Sequence, residues 1–311
     1  MIIIIVDLFF LAIDLPTYLE RIEILNVHMR NLKLLFDQKQ KDELISQLAH
    51  LTPRFSGADL ANVCNESALL AARDGQQSIE SKNFYSALER VLAGAEKRST
   101  TISVEDRKLL AYQECGKVII SWFHQSCDLI LKVSLLSRTK ANAFTQYLPI
   151  DRKLHSKEDL FDQMCLSFGG RVAETIVFNR QTTQSEQDLK KITKLAYAQV
   201  ESFGMSPVIG NMSFPTQQEE KAMSGGTVGK RPYSKKLRNL IDLEVNKLMA
   251  NAHKETEKTI KSNMDKLHKI ADELLKRETL SYEDICALIG PPINPTRYSL
   301  ATSPLTSNPT S

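Results

Sequence analysis

At 311 residues the chain has the length of about two ordinary domains, and its 42% hydrophobic and 25% charged residues are the balance of a packed globular protein. The 40 basic and 37 acidic residues leave a formal charge of only +3, spread evenly, which excludes a dedicated nucleic-acid or membrane-surface binder. Five cysteines (Cys64, Cys115, Cys127, Cys165 and Cys286) form no Cys-x-x-Cys pair, so neither a cysteine zinc site nor a disulfide framework is indicated. A reducing, matrix-like compartment is the simplest setting for them.

In chain order, Met1 to Pro16 is apolar, but no Lys or Arg precedes Arg21, and Asp7 and Asp14 interrupt it. A signal peptide needs a basic start and a spanning helix needs about 20 apolar residues, so a buried β-strand or an aberrant start is expected. No targeting or transmembrane segment is visible. Apolar residues then recur at three- and four-residue steps: Leu19, Ile22, Leu25 and Met29; Leu44, Leu48 and Leu51; Leu60, Val63, Leu69 and Leu70. Thr52-Pro53 ends one helix and Ser56-Gly57-Ala58-Asp59 starts the next. Ser81 is expected to cap a further helix over Phe84 to Val91. These segments predict an all-helical unit of three or four helices over residues 1–95.

The polar stretch 96–101 reads as a linker. Ser103 opens a helix carrying Glu105 and Asp106 in its first turn, where the helix dipole favours acids. Two β-type stretches follow, Ile130 to Leu136 and Phe144 to Leu148, joined by a polar turn. Helical patterns return over Leu160 to Phe178, Asp188 to Phe203, Lys235 to Lys261 and Met264 to Arg277, with a glycine-rich loop at 224–229. The second domain is expected over 102–290. The tail, 291–311, is rich in Pro, Ser, Thr and Asn, a composition that predicts disorder.

Three segments carry a resemblance. Ile13-Asp14-Leu15-Pro16 with Arg21, Ile24, His28 and Arg30 looks like the end of an AAA module's last strand and its first lid helix. Phe55 to Arg73, FSGADLANVCNESALLAAR, is similar to a lid segment that abuts nucleotide. Phe161 to Phe178, FDQMCLSFGGRVAETIVF, resembles the Gly-Gly-Arg helix of a peptidase domain. Together they resemble the FtsH family of AAA metalloproteases, most closely its mitochondrial m-AAA (AFG3-like) branch, from about Ile13 to Pro291. The resemblance implies a mainly α fold, with a helical AAA+ lid followed by a helical FtsH-type zinc-metallopeptidase domain that includes a small β-hairpin. It implies ATP-dependent zinc endopeptidase activity on protein substrates in protein quality control, with zinc and ATP as cofactors. Intact m-AAA subunits in a hexameric ring would be its partners, on the matrix side of the mitochondrial inner membrane.

The motifs depart from that pattern where the chemistry lies. The family holds zinc with two histidines of H-E-x-x-H, one turn apart on a helix, and an aspartate from a later helix. The matching stretch here is Ala111 to Ile119, AYQECGKVI: Gln113 and Lys117 stand at the histidine positions, Glu114 remains as the remnant general base, and Asp188 matches the third ligand. A neutral amide is a poor ligand and an ammonium has no lone pair. Cys115 points about 200° round the helix from Gln113, and His124 lies about 10 Å beyond Lys117, so neither replaces a ligand. Without zinc, water keeps a pKa of about 15.7 instead of about 7, a loss on the order of 12 kcal/mol in making hydroxide. Glu114 is then expected to pair with Lys117 or Lys108. Gln184, and the turn Ser137 to Ala143, stand where the family carries glycine, and Gly169 and Gly170 read as close helix packing.

The 311 residues contain no G-x-x-x-x-G-K-[ST] phosphate loop; the nearest string, Ser224 to Arg231, precedes Pro232 rather than a helix. Gly57 and Ala58 are the nucleotide-proximal candidates, but neither zinc nor ATP is expected to bind. The expectation is a truncated, non-cleaving protease subunit able to join intact relatives. The alternatives are an active ATP-dependent metalloendopeptidase and a degraded gene copy without selected function.

Overall fold

The computed structural model describes residues 2–6, 9–94, 103–136, 143–148, 154–214 and 234–293. The expected linker over 96–101, most of the turn over 137–143, the loop at 224–229 and the tail beyond 293 lie outside the described residues. The apolar start forms two strands, β1 (Ile2–Val6) and β2 (Phe9–Ile13), paired antiparallel with Ile2 opposite Ile13. One strand was the expectation; the short break at 7–8 folds the stretch into a hairpin.

Four helices follow: α1 (Tyr18–Met29), α2 (Gln38–Leu51), α3 (Gly57–Arg73) and α4 (Ser81–Ala93). Their starts are fixed by side chains that satisfy orphan backbone N–H groups. Ser56 Oγ accepts from the Asp59 backbone N–H while Asp59 Oδ2 accepts from the Ser56 N–H, at 3.3 and 2.9 Å. At α4 the cap is Glu80 and not Ser81, because Asn83 Oδ1 reaches back to the Glu80 N–H at 2.9 Å. Leu25, Met29, Leu48, Leu60 and Phe84 close the core of this unit. Arg21 is buried in it, donating to the carbonyls of Ala49 and Pro16 at 3.0 and 3.1 Å.

The second unit is built round α5 (Val104–Phe123), which is buried on nearly every side from Leu110 to Trp122. α6 (Lys157–Phe178), α7 (Glu186–Tyr197), α8 (Lys235–Ser262) and α9 (Met264–Arg277) surround it. Thr256 donates to the carbonyl of Ala252 on its own helix and lies 3.3 Å from that of Cys165, tying α8 to α6. Along α8, Ile241 and Val245 are buried and Leu237 and Leu248 pack against the core, whereas Leu240 is largely exposed. The helix expected over Asp188 to Phe203 ends earlier, at Tyr197, and widens into a π turn over Ala198–Ser202.

Three strands form the second sheet, in the order β4-β3-β5. β3 (Leu129–Ser134) pairs antiparallel with β4 (Phe144–Leu148), with a register shift between Ile130 and Lys132. The expected two-stranded hairpin gains β5 (Thr279–Ser281), followed by a short helix α10 (Tyr282–Ile289). Three residues are too few to show alternation. The turn that aims them depends on Glu278 adopting a left-handed backbone, φ 63°, while its carboxylate pairs with Arg107. Between the two units, Lys132 of β3 pairs with Glu89 of α4 at 2.6 Å.

α5 and α6 meet backbone to backbone. A Cβ on Gly116 would collide with the carbonyl oxygen of Gly169 and come within 2.6 Å of the Ala173 Cβ, and one on Gly169 would lie 2.9 Å from the Gly116 oxygen. Gly116→Ala is therefore expected to cost about 3 kcal/mol through forced separation of the two helices, read as a lower urea midpoint. An unchanged midpoint would show that the pair can part without loss.

Candidate active site

The buried middle of α5 presents Gln113, Glu114 and Lys117 toward α6, α7 and β4. Glu114 is a 5% exposed carboxylate at the floor of a cleft of about 500 Å³. One oxygen takes the Lys117 ammonium at 3.0 Å and the other accepts from the Thr145 hydroxyl of β4. The same ammonium lies 3.2 Å from Asp188 Oδ2, and Asp188 Oδ1 is 3.4 Å from Lys191. The structure thus brings Glu114, Lys117 and Asp188 together as one acid–base–acid cluster. The Lys117–Glu114 pair is as expected from the i,i+3 spacing. Lys108 is not the partner.

Burial by itself would lower the Lys117 pKa, but Glu114, Tyr147 and Asp188 overcome it and raise the ammonium well above the ordinary lysine value. Burial also pushes the Tyr147 phenol far up; Lys117 opposes that shift, while Glu114 and Asp188 add to it. Both groups therefore keep their protons at neutral pH. Gln113 turns its amide to Glu174 Oε2 at 2.6 Å and to the Thr182 hydroxyl at 3.3 Å. Glu174 is fully buried, and its second oxygen, Oε1, has no hydrogen-bond partner.

Other candidates lie elsewhere. Cys115 is buried in the core, where burial drives its thiol pKa well up. His124 ends α5 and pairs with Asp162 at 2.8 Å. His50, His253 and His268 stack on Tyr18, Phe168 and Tyr112. Gly57 and Ala58 form the first turn of α3 in the first unit, with Gly57 facing Ile24.

Thr145, Tyr147, Glu174 and Arg54 were missed by the sequence reading. Glu174 had a signal, since it follows Gly170 by four residues and shares the α6 face turned to Gln113. Thr145 and Tyr147 share one face of β4 by the two-residue alternation. Arg54, after Pro53, lines the same cleft from the turn before α3, and nothing local in the sequence places it there.

As ligands for a dication these residues do not fit. Gln113 offers a neutral amide already engaged by Glu174, and the Lys117 ammonium lies between the two carboxylates a metal would need. Among the described residues no three His, Cys, Asp or Glu side chains are grouped so as to hold a metal ion. No helix among them is long and apolar enough to cross a membrane.

A four-helix lid unit preceding a helical unit whose central helix carries a glutamate, facing an aspartate from a later helix, has the architecture of an AAA-linked metallopeptidase. A family model for the AAA+ lid domain matches residues 42–86, and one for peptidase family M41 matches residues 100–288. The chain belongs to peptidase family M41, as an FtsH-type AAA metalloprotease homologue. It is 41% identical over 276 residues to the mitochondrial inner membrane m-AAA protease component AFG3L2 of Mus musculus, covering 89% of this chain and 34% of that protein. It is 41% identical over 284 residues to the ATP-dependent zinc metalloprotease FtsH of Rhodothermus marinus, covering 90% of this chain and 39% of that one. With the ATP-dependent zinc metalloprotease FTSH 3, mitochondrial, of Oryza sativa subsp. japonica, identity is 38% over 293 residues, 93% of this chain and 35% of the relative. The chain spans little more than a third of the length of these relatives.

Proposed function

We propose that this chain is a non-cleaving member of its family, a pseudoprotease subunit that keeps the peptidase fold and acts through protein contacts. The observation that carries the reading is the position of Lys117: its ammonium supplies the positive charge between Glu114 and Asp188 that zinc would supply in a working site. Glu114 is then a remnant general base and Asp188 a remnant ligand, held in place by a lysine that cannot polarise a carbonyl or acidify water as a metal does. Intact m-AAA subunits are the proposed partners and the matrix face of the mitochondrial inner membrane the proposed location, a reading supported by the relatives' names and identities. Gly57 and Ala58 would approach nucleotide only alongside a full ATPase module.

The test is metal analysis of the purified chain together with casein cleavage. Less than about 0.1 zinc per chain after dialysis and no cleavage is the expected result, in keeping with a donor set that offers no histidine. About one tightly held zinc with chelator-sensitive proteolysis would overturn the reading and favour an active metalloendopeptidase.

A further inference from the structure

The cleft beside Glu114 is walled by both units of the chain. β4 forms one wall through Ala143, Phe144, Thr145 and Tyr147, and Arg54 stands on another. β4 ends the sheet order, so among the described residues its outer edge pairs with no strand and leaves main-chain N–H and C=O groups unused. The charges on the cleft floor satisfy one another: Lys117 lies between Glu114 and Asp188, and Lys191 is 3.4 Å from Asp188. Asp128, the third acid on the wall, has an interaction of its own. Arg54 differs. No acid, carbonyl or aromatic ring among the described residues partners its guanidinium, and its backbone is left-handed, φ 65°, a conformation that residues with a Cβ rarely adopt. The Lys117 ammonium has three protons and two acceptors, Glu114 and Asp188.

We propose that this cleft binds the carboxy-terminal end of an extended peptide, laid as an added strand along the free edge of β4 with its terminal carboxylate on Arg54. Strand addition uses the unpaired main chain of β4 and needs no particular sequence. The planar guanidinium fork matches a carboxylate, and the third proton of Lys117 is available to a peptide carbonyl. The inference rests on the reading of a non-cleaving chain and names what its cleft would retain: a free peptide C-terminus.

The test uses the full 311-residue chain and a fluorescein-labelled nonapeptide of Thr, Val and Ser, made as the free acid and as the C-terminal amide. Fluorescence anisotropy should show the acid binding about tenfold more tightly than the amide, the scale of one charge-assisted contact. Arg54→Gly should abolish that preference. Glycine suits the left-handed backbone, so this variant is not expected to fail by unfolding, and its urea midpoint confirms that. Equal binding of acid and amide by the unaltered chain, no binding of either at about 1 mM, or a preference that survives Arg54→Gly would each overturn the proposal. Chromatography of the recovered peptide separates the two readings. Shortened peptide would refute the non-cleaving reading, while the acid-to-amide ratio still reports on Arg54.

Discussion

Replacing Gln113 and Lys117 together by histidine is expected to give a chain that takes up one zinc ion. The substitution removes the ammonium from between Glu114 and Asp188 and places two imidazoles one turn apart on α5, with Asp188 already facing them from α7. Glu174 makes the expectation sharper. It is fully buried, has one oxygen without a partner and already accepts from the side chain at position 113 at 2.6 Å. A metal-ligating histidine needs an acceptor for its other ring N–H, and Glu174 is placed to be that acceptor. The further change Glu174→Gln in the double variant should lower zinc affinity about 10- to 100-fold. At a thousandfold excess of zinc over its dissociation constant, binding should stabilise the double variant by about 4 kcal/mol. Native mass spectrometry and thermal melts with and without zinc give the readout. A double variant that stays metal-free would show that Asp188 is not placed to complete the shell.

Lys117→Met should be the most destabilising single change in the site, at about 3–5 kcal/mol, because it leaves Glu114 and Asp188 facing each other without a cation. The side chains are 7% and 20% exposed, too buried for water to screen them fully. Adding Glu114→Gln should recover much of the loss, since it removes one of the uncompensated charges. The pH dependence has a definite sign. The folded pKa of Lys117 is raised, so its contribution is complete below the ordinary value of about 10.4 and fades only as pH climbs through the higher folded value. Tyr147, also raised, acts in the same direction. The difference between wild type and Lys117→Met should therefore stay flat from about pH 7 to 9. Urea titrations across that range check it; a difference under about 1 kcal/mol would mean that the cluster contributes little.

Much of this architecture was legible because its signals are local. Ser56 and Ser103 cap α3 and α5 as the residue pattern predicts, and the apolar spacing of Ile241 and Val245 marks the inward face of α8. The pairing of Lys117 with Glu114 follows from three-residue spacing alone. What was illegible depends on contacts between distant segments. β5 exists because Thr279–Ser281 is delivered to the edge of β3 by the turn at Glu278, and three residues carry no period of their own. Glu174 reaches Gln113 across 61 positions of chain, and Arg54 reaches the cleft from the other unit. Gly116 gave no hint of its role, because a lone glycine in a helical pattern reads only as a weak helix former.

That glycine separates what α5 does for folding from what it could do for chemistry. Gln113 and Lys117 turn toward Glu174 and the cleft, whereas the touching point with α6 belongs to Gly116, where even a methyl group finds no room. Residues of a reactive pocket can therefore be exchanged, metal ligands for an amide and an amine included, while the helix crossing stays as it is. Shape and reactivity are independently heritable along this one helix, so a chain can go on presenting the outline of a peptidase to its neighbours after it has ceased to cut.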